Sequence, residues 1–204
     1  MTAQLRENIE KFQNFEVISA LRRIILQPMI DYIQQKINNK EDINLHFICT
    51  HNSRRSHFAQ VWAQVAANHY CIPNVCCYSG GTEETALFPE VRDTLNKQGL
   101  QIFPITEGDN PIYAIKYTKN SMPIIGFSKT YDHAFNPTSA FAAILTCSQA
   151  DQGCPYIEGA EIRIPVTYED PKVSDGTPDQ PQLYEKTSIE IATEMMFIFS
   201  SISR

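Results

Sequence analysis

Short apolar runs alternate with amphipathic stretches through most of the chain, separated by polar breaks that contain Pro, Gly or Asn. From residue 4 to about 38, Leu21, Ile24, Ile25, Met29, Ile30, Ile33 and Ile37 recur at three- and four-residue spacing, which predicts helix with one apolar stripe. Pro28 interrupts this pattern and is expected to open a new helix at its first turn. The polar run from Asn38 to Asp42 marks a boundary between an N-terminal helical extension, residues 1–42, and a domain spanning residues 43–204.

Leu45 to Cys49 reads as a buried strand, and Ser53 to about His69 as an amphipathic helix. Val75 to Tyr78 reads as a second strand ended by Gly80-Gly81, and Pro89 to Lys97 as a helix stopped at Gly99. Leu100 to Phe103 has strand character, and the runs Ile112 to Tyr117 and Pro123 to Phe127 flank a polar turn as a hairpin would. Phe141 to Thr146 and Ile162 to Tyr168 complete the buried strands, and Tyr184 to Ser200 forms a closing helix. Strands alternating with helices imply an α/β layered domain with a mostly parallel sheet. Pro and Asp cluster from 170 to 181 as a long loop.

Composition narrows the partners. The 204 residues carry a net charge of −6, with 43% hydrophobic and 20% charged residues, as in an ordinary globular protein. Nothing suggests a nucleic-acid partner or attraction to an anionic membrane. No apolar stretch approaches the roughly 20 residues that span a bilayer. The polar N-terminus does not read as a signal peptide, so a cytoplasmic location is expected. There, six cysteines point to reactive or buried thiols rather than a disulfide framework.

The chemistry concentrates after the first buried strand, in Cys49-Thr50-His51-Asn52-Ser53-Arg54-Arg55-Ser56. A loop between strand and helix directs backbone N–H groups at a tetrahedral oxyanion, and a guanidinium closes the ring. Positive surroundings of this kind favour a cysteine thiolate, which makes Cys49 a candidate nucleophile facing the anion. Arg55 offers a planar fork for two oxygens, Ser56 a hydrogen bond to the sulfur, and Asn52 a residue that tolerates left-handed backbone. Arg54 reads as a solvated first-turn residue. A bare C-x5-R-S string also arises by chance, so the other elements matter. Asp170-Pro171 follows an apparent strand and could deliver a general acid to the carboxyl edge of the sheet, or be only a turn. Cys147 begins where another strand ends. Its spacing from Cys154 exceeds the usual C-x2–4-C of zinc sites, leaving a resolving pair or two unremarkable thiols. Cys71, Cys76 and Cys77 read as packing residues, and His57 as a surface or supporting residue. No metal site and no cofactor is indicated.

Together these residues resemble the low-molecular-weight phosphatase fold, and within it the thiol-coupled arsenate reductases. Phe47-Ile48-Cys49-Thr50-x-Asn52-Ser53-x-Arg55-Ser56 matches the family's opening loop, and Tyr78-Ser79-Gly80-Gly81 is similar to the stretch after its second strand. Leu145-Thr146-Cys147-Ser148-x-Ala150-Asp151-x-x-Cys154-Pro155 resembles the segment carrying both resolving cysteines of the reductases. The resemblance covers residues from about 43 to the C-terminus. It implies a three-layer fold with a central four-stranded parallel sheet, an oxyanion cradle made by Thr50, His51, Asn52, Ser53, Arg54, Arg55 and Ser56, and Asp170 as general acid. It further implies arsenate reduction through Cys49, Cys147 and Cys154, with a thioredoxin-like protein as reductant. The alternative within the family is a tyrosine phosphatase that works through a phosphocysteine. An oxyanion- or redox-sensing module using residues 1–42 as a binding arm is the non-enzymatic alternative. This chain departs from the family at His51, which replaces a glycine, at Arg54, where many members have cysteine, and at Gln60, where some reductases place Glu near a monovalent cation site.

Overall fold

A computed structural model describes residues 1–153 and 156–203. Helices α1 (Ala3–Phe12) and α2 (Ala20–Asn39) precede strand β1 (Ile43–Cys49), helix α3 (Arg55–His69), strand β2 (Val75–Gly81) and helix α4 (Pro89–Lys97). Three short strands follow, β3 (Gln101–Pro104), β4 (Tyr113–Lys116) and β5 (Ile124–Gly126). Then come β6 (Phe141–Leu145), α5 (Ser148–Gly153), β7 (Ala160–Pro165) and α6 (Gln180–Ser200).

The expected central sheet is present: four parallel strands in the order β2-β1-β6-β7. β1 is buried almost throughout, as a central strand covered on both faces must be. Its residues divide between two cores. Leu45 and Phe47 join a large cluster with residues of α1, α2, α3 and α6, whereas Ile48 and Cys49 join a smaller one with Phe141, Leu145, Cys147 and Ala150. The chain leaves β1 toward β2 on one side and later returns to β6 on the other. That reversal opens a crevice at the carboxyl ends of β1 and β6, where ligands bind in such sheets. Cys49 ends β1, and Cys147 lies just beyond β6.

The segment after α4 folds out of this sheet. β3, β4 and β5 form a separate antiparallel sheet that contains the expected hairpin. β7 differs from the reading of Ile162 to Tyr168 as a buried strand. It starts earlier, is an edge strand, and leaves Ile162 36% exposed. Val166 and Tyr168 still donate backbone hydrogen bonds to Leu145 and Thr146, which steers the chain along the carboxyl edge.

Helix α2 corrects two expectations. It runs unbroken through Pro28, which costs the hydrogen bond to the carbonyl of Ile24. Ile24 is 69% exposed, so water can satisfy that carbonyl. The apolar stripe is also only half used. Met29, Ile30 and Ile33 are buried, but Leu21 is 71% and Ile24 69% exposed. Polar bonds fix the first turns of α2 instead: Arg23 donates to the carbonyls of Ile18 and Phe15, and Arg22 pairs with Glu194. Among the cysteines read as packing residues, Cys77 is buried while Cys71 and Cys76 are exposed. No helix among the described residues is long and apolar enough to cross a membrane.

Candidate active site

The loop from Cys49 to Ser56 is built as a cradle. Cys49 is 3% exposed, and its Sγ lies 3.1 Å from Ser56 Oγ. Asn52 takes the left-handed backbone conformation, φ +43°, that turns the loop. Its side chain then works in two directions: Nδ2 donates to Ser56 Oγ at 2.9 Å, and Oδ1 accepts from the backbone N–H of Lys129 at 3.0 Å. The carbonyls of the loop point outward to neighbours. Thr50 O accepts from Glu83 N, His51 O from the hydroxyls of Thr85 and Ser128, and Ser53 O from Phe88 N. With the carbonyls so engaged, the N–H groups of residues 50–56 donate to no acceptor among the described residues. Unpaired amides ahead of a helix suit an oxyanion. Gly81 permits the arrangement, because a Cβ there would lie 2.7 Å from both Asn52 N and Thr50 O.

His51, where the family has glycine, is not at positive φ; that backbone conformation falls on Asn52. The His51 imidazole turns outward, 3.5 Å from Glu83.

The two arginines divide their tasks. Arg55 donates from one terminal nitrogen to Tyr168 O at 3.0 Å and from the other to Asp170 Oδ2 at 2.5 Å. Its Nε is buried and has no partner among the described residues. Asp170 Oδ1 accepts from Lys172 N, so the carboxylate also caps the following turn. Arg54 departs from the expectation of a solvated side chain and from an oxyanion role for its guanidinium. It bonds Tyr184 and Asp175 at 2.5 Å each and stacks 4.1 Å over Phe88. It can offer the anion only its backbone N–H. Both arginines thereby tie the loop to the segment 168–175. Arg54→Ala is expected to unfold about 2–4 kcal/mol more easily in urea, because Asp175 is left with less than its full set of partners. A change within 0.5 kcal/mol would show that this clamp is idle.

Cys147 is buried and shares the second core cluster with Cys49. Its Sγ lies 3.4 Å from Thr50 Oγ1 and accepts from Ala150 N at 3.3 Å, at the start of α5. An open cleft of about 490 Å³ is lined by Arg22, Arg55, Cys147, Gln149, Tyr168 and Asp170. The structure therefore gathers Cys49, Arg55, Asp170 and Cys147 at one sheet edge. Cys154 lies outside the described residues. Among the described residues there is no cluster of three or more His, Cys, Asp or Glu able to hold a metal ion.

Sequence reasoning missed what stands behind the loop. His46, His57 and Lys129 are all fully buried. Burial, and secondarily the Lys129 charge, push both histidines down to about 3. Burial alone pushes Lys129 down to about 7. His57, read as a surface or supporting residue, is an internal one, 3.3 Å from Ser79 Oγ. Lys129 meets the rings of Phe127 and Phe135, at 4.4 and 5.5 Å. The segment 104–138 buttresses the loop through Ser128 and Lys129.

No family model and no curated protein matches the chain. Solved structures do. A low-molecular-weight phosphotyrosine phosphatase from Vibrio cholerae O395 is 11% identical, with 78% of this chain and 94% of that one covered and a TM-score of 0.51. A mutant of YwlE from Bacillus subtilis is 14% identical, over 78% and 97%, with a TM-score of 0.50. An arsenate reductase from Archaeoglobus fulgidus is 15% identical, over 76% and 98%, with a TM-score of 0.49. The chain has the α/β fold of the low-molecular-weight phosphatase, with the parallel four-stranded sheet at its centre.

Proposed function

We propose that this chain is a thiol enzyme acting on a tetrahedral oxyanion, and that its reaction is thiol-coupled arsenate reduction. The observation that carries the first part is the set of N–H groups at residues 50–56 that donate to no acceptor among the described residues, in the loop that begins at Cys49 and ends at Arg55 and Ser56. Amides and a guanidinium fixed in advance stabilise the charge that develops on oxygens in the transition state. The second part is supported by Cys147 at the neighbouring strand end, next to Thr50 and in a cleft that Arg55 and Asp170 also line.

In this reading the Cys49 thiolate attacks arsenate, forming an S–As(V) bond, while an oxygen leaves as water with a proton from Asp170. The Cys147 thiolate then attacks the Cys49 sulfur. A Cys49–Cys147 disulfide forms, the S–As electron pair stays on arsenic, and arsenite departs. Attack by Cys154 on the Cys147 sulfur frees Cys49 and leaves a Cys147–Cys154 disulfide, which a thioredoxin-like dithiol reduces. Thus two thiols supply the two electrons that arsenic gains.

Hydrolysis of phosphate esters is the competing reaction, because it needs only Cys49, Arg55 and Asp170, and Asp170 already stands at the arginine. Tyr168 gives no aromatic grip for a phosphotyrosine ring, since it is 5% exposed and its hydroxyl is engaged by Glu194. One paired experiment separates the two. Wild type and Cys154→Ser are given arsenate for a single turnover, disulfides are mapped by mass, and an aryl phosphate is assayed in parallel. A Cys49–Cys147 bond accumulating in Cys154→Ser supports the relay. Aryl phosphate turnover with no arsenate-dependent disulfide assigns the site to phosphate esters.

A further inference from the structure

Arg22 belongs to the first turn of α2, in residues 1–42 that lie outside the family resemblance, yet it lines a cleft together with Arg55, Cys147 and Asp170. Its Nε and one terminal nitrogen fork onto both carboxylate oxygens of Glu194 in α6, at 2.6 and 2.9 Å. The same guanidinium lies 4.8 Å over the ring of Tyr168. Tyr168 OH donates to Glu194 Oε2 at 2.7 Å. Arginine, carboxylate and phenol therefore close a triangle in which Glu194 is 4% and Tyr168 5% exposed. Burial and the adjacent Glu194 push the Tyr168 phenol well up, so it remains a donor.

The triangle bears on the chemistry through the backbone of Tyr168. Its carbonyl accepts from Arg55, and two residues later Asp170 accepts from the other end of the same guanidinium. Both partners of Arg55 thus hang from one short stretch beyond the end of β7. The amide of Tyr168 is tied to Thr146 O, which fixes its height along the sheet edge. Rotation about that tie would swing the carbonyl and Asp170 together. The side-chain triangle blocks that rotation by holding the ring from two sides.

We propose that Arg22 is a positioning residue of the oxyanion site: through Glu194 and Tyr168 it sets where Arg55 and Asp170 meet, making the N-terminal helical extension part of the active site. This rests on the function proposed above. A residue that only neutralised buried Glu194 would affect folding and nothing else.

The decisive variant is the double replacement Arg22→Met/Glu194→Met. It leaves no buried charge unpaired, and because the Tyr168 hydroxyl loses its acceptor the pair is also replaced in a Tyr168→Phe background, where no buried polar group is orphaned. Tyr168→Phe, which keeps the ring and removes the hydroxyl, is the second variant should the first not fold. Each is compared with wild type by melting temperature, calorimetric Kd for inorganic phosphate, and kcat/KM against pH. Folded variants are expected to bind phosphate about 10-fold more weakly, to lose about 10- to 100-fold in kcat/KM, and to show a displaced alkaline limb, because a general acid must keep its proton to act. Wild-type affinity and pH profile in a folded variant overturn the inference. If wild type binds phosphate but turns over neither arsenate nor aryl phosphate, the enzymatic reading falls, and the phosphate Kd of the variants still decides the role of Arg22. If wild type does not bind phosphate at all, both fall.

Discussion

Cys49→Ser is expected to reduce turnover by about 10⁴-fold or more while inorganic phosphate still binds within a few-fold of wild type. The asymmetry follows from how the loop is held. Its shape depends on Asn52 bonding Ser56 and Lys129, and on carbonyls engaged by Glu83, Thr85, Ser128 and Phe88. None of these contacts uses the Cys49 sulfur, so the amides that would bind the anion keep their places. What disappears is the nucleophile, because a serine hydroxyl without an adjacent base is a poor one. Arg55→Lys should behave differently. A lysine keeps the charge but cannot reach Tyr168 O, Asp170 and the anion at once, so both phosphate affinity and kcat should fall, the latter about 10²- to 10³-fold. Calorimetric titration beside steady-state assay reads both variants. Cys49→Ser retaining more than a hundredth of wild-type turnover would place the nucleophile elsewhere.

Local signals carried the readable part of the molecule. The cradle was legible because its chemistry is contiguous from Cys49 to Ser56, and the buried strands because their apolar runs are short and bounded. Asn52 was readable as the residue suited to left-handed backbone, which it adopts. What escaped depends on partners far along the chain. Arg54 looks like an exposed first-turn residue until Asp175 and Tyr184, from the far end of the chain, enclose it. The Arg22 triangle is similarly non-local, with Glu194 supplied by the last helix. Periodicity also overstated the apolar face of α2. Spacing shows which residues share a stripe, but the rest of the fold decides how much of that stripe meets a partner, and at Leu21 and Ile24 none is present. Cys76 fails for a related reason: successive strand side chains face opposite ways, and alternation in β2 puts Cys77 inward and Cys76 outward, while Cys71 sits in the turn after α3.

The buried bases behind the loop lead to the second large expectation: stability collapses as pH falls from about 6.5 toward 4. His46 and His57 hold no proton in the folded protein until pH approaches about 3, whereas in the unfolded chain they charge near 6.5. Between those values the unfolded chain binds more protons, so acidification favours it. At pH 4 the penalty is roughly 3 kcal/mol per histidine, and the pair together rivals the whole stability of an ordinary domain. Lys129 acts in the alkaline window with the same sign. It binds a proton in the folded state only below about 7, against the ordinary 10.5 of an unfolded lysine, so stability should rise between pH 7 and 10. Lys129→Met is therefore expected to flatten the alkaline slope. It should also soften the acid loss, because the Lys129 charge is one cause of the low histidine values. Urea unfolding from pH 4 to 10 tests both limbs. A wild-type midpoint that is flat from 7 to 10, or a Lys129→Met slope equal to wild type there, would show that the lysine finds in solution a partner for its charge. An acid limb unchanged by His46→Gln would likewise remove His46 as one of its sources.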